Sequence, residues 1–175
     1  MKTFFSIILV ALFSLPVTAQ TAQLESLPGY VDFADLDAIY GEPRVMINIG
    51  GTLLKLMSAA SAAEDPETSA MIRNLDGVRI KVYPTDGNLE PALDQVEKAK
   101  ISLQSAQWEP VVQVNKANEQ VQIFMKANDE NVEGLTVMAV DAEEAVFINI
   151  LGVIDPAQIG KVMNTLDVDV DMDTE

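Results

Sequence analysis

The chain has 175 residues, no cysteine and no histidine, and its 27 acidic against 11 basic residues give a formal charge of −16. Without Cys or His, disulfides, thiol catalysis, Ser-His-Asp relays, thiolate or imidazole zinc sites and His-ligated haem are excluded. The charge disfavours phosphate backbones and anionic lipid surfaces, while 49% hydrophobic residues mark a folded chain.

Residues 1–19 read as a signal peptide. Lys2 gives the positive start, Phe4 to Leu15 an apolar run, Pro16 the break, and Val17-Thr18-Ala19 the small residues before a cut between Ala19 and Gln20. The run of about 12 residues falls short of the roughly 20 that span a bilayer. No Cys follows the cut, so the reading is export without lipid attachment or stable membrane insertion. Cleavage leaves 156 residues with a charge of −17, the length of one domain. A single α+β domain is predicted over 20–166, followed by an acidic tail over 167–175.

Leu27-Pro28-Gly29-Tyr30-Val31-Asp32-Phe33 opens with a turn and predicts a first strand or docked loop. Val45, Ile47 and Ile49 alternate with Met46 and Asn48 before Gly50-Gly51, the pattern of a buried strand ending in a tight turn. Thr52 is then the expected cap of a helix whose apolar face is Leu53, Leu54, Leu56, Met57 and Ala60. Asp65-Pro66 starts another helix, with Met71, Ile72 and Leu75 pointing inward. Val78, Ile80 and Val82 alternate with Arg79, Lys81 and Tyr83 in a second strand that ends at Pro84 and Asp86-Gly87-Asn88. From Leu89 a helix carries Leu93, Val96, Ala99 and Leu103 on one side.

The second half reads as four strands, Trp108 to Asn115, Val121 to Ala127, Val132 to Val140 and Ala145 to Leu151, joined by turns short enough for an antiparallel meander. The last is nearly continuous in apolar residues, which predicts a central strand covered on both faces. Asp155-Pro156-Ala157-Gln158 then caps a terminal helix with an inward stripe of Ile159, Val162, Met163 and Leu166. The fold class is α+β: a mostly antiparallel sheet of about five to seven strands with three or four amphipathic helices. Ile47-Asn48-Ile49-Gly50 and Ile148-Asn149-Ile150-Leu151-Gly152 form a weak internal echo, for which shared demands of a strand feeding a turn are a simpler account than duplication.

Candidate sites each meet a plainer reading. Asp167-Val168-Asp169-Val170-Asp171-Met172-Asp173 resembles a calcium loop, but Met172 stands where Gly is required and no bidentate Glu follows, so an acidic terminus is the better reading. Gly50-Gly51 with Lys55 lacks phosphate-loop spacing and reads as a structural turn. Asp32, Asp35, Asp37 and Glu42 crowd one segment beside Tyr30 and Tyr40, a composition compatible with two-carboxylate hydrolysis, and they read first as turn, cap and surface acids. Trp108 reads as a core or edge anchor. Arg44, Arg79 and Lys81 alternate out of strands, and pairing with surplus acids is the simplest expectation. No catalytic, cofactor-binding or metal-ligating residue is assigned, and no cofactor is expected.

The string Leu27 to Phe33, Glu42-Pro43-Arg44-Val45 with Gly50-Gly51 and Leu53 to Met57, and Val78-Arg79-Ile80-Lys81-Val82-Tyr83 together resemble the bacterial domain-of-unknown-function family 4252 (DUF4252). Its members are exported or lipid-anchored envelope proteins. The resemblance covers nearly the whole mature chain and implies a soluble periplasmic protein of a Gram-negative bacterium, with secretion as the alternative. It carries no catalytic residues. The expected function is a non-catalytic binding or regulatory accessory of the envelope, with an envelope or regulatory protein as partner and no nucleic acid. A small-ligand or cation-binding protein is the alternative, and a carboxylate-based hydrolase stands third. The first predicts an exposed apolar or charged patch, the second an enclosed cavity, the third convergent carboxylates in a cleft.

Overall fold

Among the described residues, alternation of apolar and polar side chains produces six strands: β1 (Val45–Gly50), β2 (Leu75–Pro84), β3 (Glu109–Lys116), β4 (Glu119–Ala127), β5 (Val132–Asp141) and β6 (Glu144–Ile154). The helices are α1 (Leu36–Tyr40), α2 (Gly51–Ser61), α3 (Pro66–Arg73) and α4 (Leu89–Ser105). The computed structural model describes residues 23–33, 36–87, 89–128 and 131–154. The signal peptide, Asp35, the predicted terminal helix and the acidic tail lie outside the described residues.

The strands form one antiparallel sheet in the order β1-β2-β6-β5-β4-β3. β3 to β6 are the expected meander, and β6 is the expected central strand. Its other neighbour is β2, so the sheet closes by a contact between residues about 70 apart in sequence, such as Val78 and Ile150. The echoed segments flank β2 at one register: Ile47 and Ile148 both face Ile80, and Asn48 and Asn149 both face Arg79. β1 differs from the buried strand expected of it, because Val45 to Asn48 are exposed at the sheet edge.

The pleat sorts side chains onto two faces. On one, Tyr83, Phe147, Met138 and Phe124 meet Phe33 and Leu36 from the amino-terminal segment and Ala92, Val96 and Leu103 from α4. On the other, whole rows are apolar: Val45, Val82, Val146, Ala139, Val121 and Val114 stand opposite one another across all six strands, as do Ile47, Ile80, Ile148, Val137, Ile123 and Val112.

Three local expectations need correction. The N-cap of α2 is Gly50, without a side-chain cap, and Thr52 lies inside the first turn, because β1 runs directly into the helix. Of the apolar residues expected to face inward from α2, only Leu54 is buried, while Leu53, Leu56 and Met57 are 45%, 66% and 41% exposed. The helix instead turns Ser58 towards α3, where Ser58 Oγ donates to Ser69 O and Ser69 Oγ to Ser58 O, each at 2.8 Å. Leu75 belongs to β2, since α3 ends at Arg73. The Asp65 cap is as expected, its Oδ1 accepting from Thr68 N at 3.0 Å.

Leu27 to Phe33 is a docked segment and not a strand. Gly29 and Gly134 let it touch the sheet: a Cβ on Gly29 would lie 2.8 Å from Gly134 Cα, and one on Gly134 2.7 Å from Gly29 Cα. Alanine at either position is expected to destabilise the fold by ~1–3 kcal/mol through backbone displacement. Thermal unfolding of the two variants measures it.

Candidate functional site

The docked segment is held by two buried polar side chains of the sheet. Asn149, 0% exposed on β6, accepts from Val31 N at 3.0 Å and donates to Gly29 O at 2.9 Å and Leu135 O at 3.3 Å. Arg79, 8% exposed on β2, donates to Val31 O at 2.6 Å, with its guanidinium carbon 4.4 Å from the centre of the Tyr30 ring. Four ion pairs are present among the described residues and Arg79 is in none of them. Its charge is met by a carbonyl and by aromatic faces, which attract a cation through their quadrupole. Pairing with acids, the expectation for the three cations, applies to Arg44 with Glu144 and Lys81 with Asp37.

Asp37 accepts from the Tyr83 hydroxyl at 2.5 Å and from Lys81 Nζ at 2.9 Å. The Tyr83 hydrogen bond, followed by that of Lys81, holds its carboxyl below the usual carboxylate range. Tyr83 shifts upward through burial and its bond to Asp37, and burial pushes Tyr40 up to about 12. Raised tyrosine values stabilise the fold only while the phenols stay protonated. That contribution is whole below the ordinary value of 10.0 and disappears as pH rises through the folded-state value. Alkaline unfolding is therefore expected between pH 10 and about 12, and Tyr40→Phe should move its onset upward in a circular-dichroism titration.

Beside the docked segment lies an open cleft of about 370 Å³, floored by Phe33, Leu103, Trp108 and Phe147 and rimmed by Asp32, Gln95, Lys98 and Ser102. Trp108 is 5% exposed and serves as the core anchor its position suggested. Of the four acids considered for hydrolysis, Asp32 edges the cleft and Asp37 faces Tyr83 and Lys81, while Asp35 lies outside the described residues. Among the described residues no group of three or more acids is placed to hold a metal ion.

A second surface has the composition of an interface. Six large apolar residues within thirteen positions are exposed: Val45, Met46 and Ile47 on β1, and Leu53, Leu56 and Met57 on α2. On the helix, positions 53, 56, 57 and 60 form one stripe along the side opposite Leu54 and Ser58. From Pro43 to Ala63 the chain has no acid, and its only charges are Arg44 and Lys55. In a protein with 27 acids this is an apolar, acid-free stretch, bordered by Glu42, Glu64 and Asp65.

The two edges of the sheet differ in the same sense. β3 has Pro110, a register shift between Pro110 and Val112, and charges at Glu109 and Lys116. These devices discourage further strand pairing. β1, VMINIG, has no proline, no charge and an unbroken register. The apolar residues that form this surface were visible in the sequence, but amphipathic spacing alone assigned them to the core. The missing signal was the acid-free stretch around them. Residues 40–162 match the family model described as Domain of unknown function (DUF4252). No curated protein matches the chain.

Proposed function

The chain belongs to the DUF4252 family, and on that footing we propose that it is an exported, non-catalytic binding protein of the bacterial envelope that docks a partner protein on the β1–α2 surface. The observation that carries the reading is the unguarded apolar edge strand beside an exposed apolar helix stripe, free of acid over 43–63. Exposed contiguous apolar area marks interaction surfaces, and an open strand edge supplies backbone donors and acceptors for an added strand. The matching partner offers an extended apolar segment flanked by Lys or Arg, which would meet Glu42, Glu64 and Asp65 at the border.

The test is crosslinked capture from periplasm with the mature chain and with Leu56→Asp and Met46→Lys. Both side chains are more than half exposed, at 66% and 61%, so melting temperatures should hardly move. One partner recovered by the parent and lost with both variants is the expected result. Capture indifferent to both substitutions overturns the reading, and so does flotation of the parent, but not the variants, with lipid vesicles in the absence of protein partner.

A further inference from the structure

We infer that the aromatic cleft between the docked segment and α4 binds a small apolar carboxylate, its chain lying on the ring floor and its head group held by Lys98. The cleft measures about 370 Å³, within the ~300–1,000 Å³ usual for small-molecule sites. It shares no residue with β1 or α2, so it is independent of the partner docked there.

Two walls of different character make the cleft. One is the stretch from Tyr30 to Phe33, which Asn149 and Arg79 hold in place through Val31. The other is a single stripe of α4: positions 95, 98, 99, 102 and 103 line the cleft, the spacing of one helix face. Ala99, in the middle of the stripe, takes up little room between the walls. Because both walls are anchored in the fold, a ligand would pay little for ordering them.

The groups left unmet at the cleft are donors. Lys98 is in no ion pair and no hydrogen bond among the described residues, whereas Arg44, Lys81, Lys100 and Lys116 each have an acid. The side chains of Gln95 and Ser102, about one turn to either side of it, and the indole N–H of Trp108 on the floor also donate to no group among the described residues. Asp32, an acid on the opposite wall, already interacts with a neighbouring group. From Lys98 to Trp108 the chain has no acid, and Glu90, Asp94 and Glu97 of α4 do not line the cleft. In a chain of charge −16, an unpaired ammonium at the rim of an apolar cleft selects an anion with an apolar body. An amine would meet only the engaged Asp32, and a neutral apolar molecule would leave Lys98 unused.

Trp108 is the single tryptophan of the chain and lies in the floor, so its emission reports occupancy. Octanoate is added to the chain from Gln20 to Glu175 below its micelle concentration, with octanol as the uncharged comparison. The expected result is a saturable emission change with octanoate, and octanol binding weaker by about fivefold, the upper range of one surface ion pair. Lys98→Met should remove that preference without changing octanol, and Ser102→Phe, at an exposed position that fills the cleft, should abolish both responses. Leu56→Asp, on the other surface, should change neither. No saturable response, equal binding of octanoate and octanol by the parent, a preference that survives Lys98→Met, binding that survives Ser102→Phe, or a response lost with Leu56→Asp overturns the inference. So does weaker octanoate binding in Asp32→Asn, which would mark the cleft as a site for cations.

Discussion

Replacing Phe147 with alanine is expected to lower the free energy of unfolding by ~3–5 kcal/mol, the largest effect of any single truncation in this fold. The side chain is 0% exposed on β6, and its ring centre lies 5.7 Å from that of Phe33, 5.9 Å from Tyr40 and 6.1 Å from Tyr83. It thus joins the sheet, the docked segment and α1 in one contact set. Tilted aromatic pairs of this kind contribute ~0.5–1.5 kcal/mol each beyond the area they bury. The partners cannot close the gap together, because they are anchored on three different stretches of chain. No disulfide shares the load, since the chain has no cysteine. Chemical denaturation should show a lower midpoint with an unchanged slope. A loss under ~1 kcal/mol would place the stability of the domain elsewhere, since ordinary surface substitutions stay within about half that.

What the sequence disclosed follows the range of the interactions concerned. The strands were legible because alternation is a property of neighbours, and the β3 to β6 meander because its turns are short. That β2 lies beside β6 depends on pairs such as Arg79 with Asn149, which no local pattern encodes. Leu75 reads as helical because an apolar residue four positions after Met71 fits helical spacing as well as it fits the first residue of β2. The short α1 is not legible in the sequence, because five residues hold too little periodicity to be distinguished from a loop.

The polar anchors were less legible still. Arg79 and Asn149 sit between apolar neighbours, Val78 and Ile80 in one case and Ile148 and Ile150 in the other, where an alternating strand normally turns a polar residue to water. They are buried because the segment from Leu27 to Phe33 crosses that face, and its backbone polar groups need partners there. A long-range event of this kind leaves one mark in the sequence: Asn149 interrupts an otherwise apolar run. The α2 stripe illustrates the converse error. Spacing shows that Leu53, Leu56 and Met57 share a side of the helix, but whether that side meets the protein or another molecule depends on where the Ser58–Ser69 contact places the helix.

Asn149→Leu is expected to cost ~3 kcal/mol, because the substitute keeps the volume but leaves the part-buried Val31 N–H and the buried Gly29 C=O without their partner. Arg79→Met removes the charged donor to Val31 O and the contact with the Tyr30 ring, and it also removes the burden of burying a cation, so a loss of ~2 kcal/mol is expected. The two side chains grip the same stretch of backbone from adjacent strands, and Val31 is bonded to both, through its N–H and its C=O. Once either grip is lost the segment can lift, and the second substitution then breaks contacts already weakened. The double variant should therefore lose less than the two single losses combined, with a coupling of ~1 kcal/mol or more. Amide exchange at Val31 should accelerate in each single variant ahead of global unfolding, which separates release of the segment from general destabilisation. Losses that add, with Val31 exchanging only at the global rate, would show that Arg79 and Asn149 stabilise the sheet itself and that the wall of the aromatic cleft stands without them.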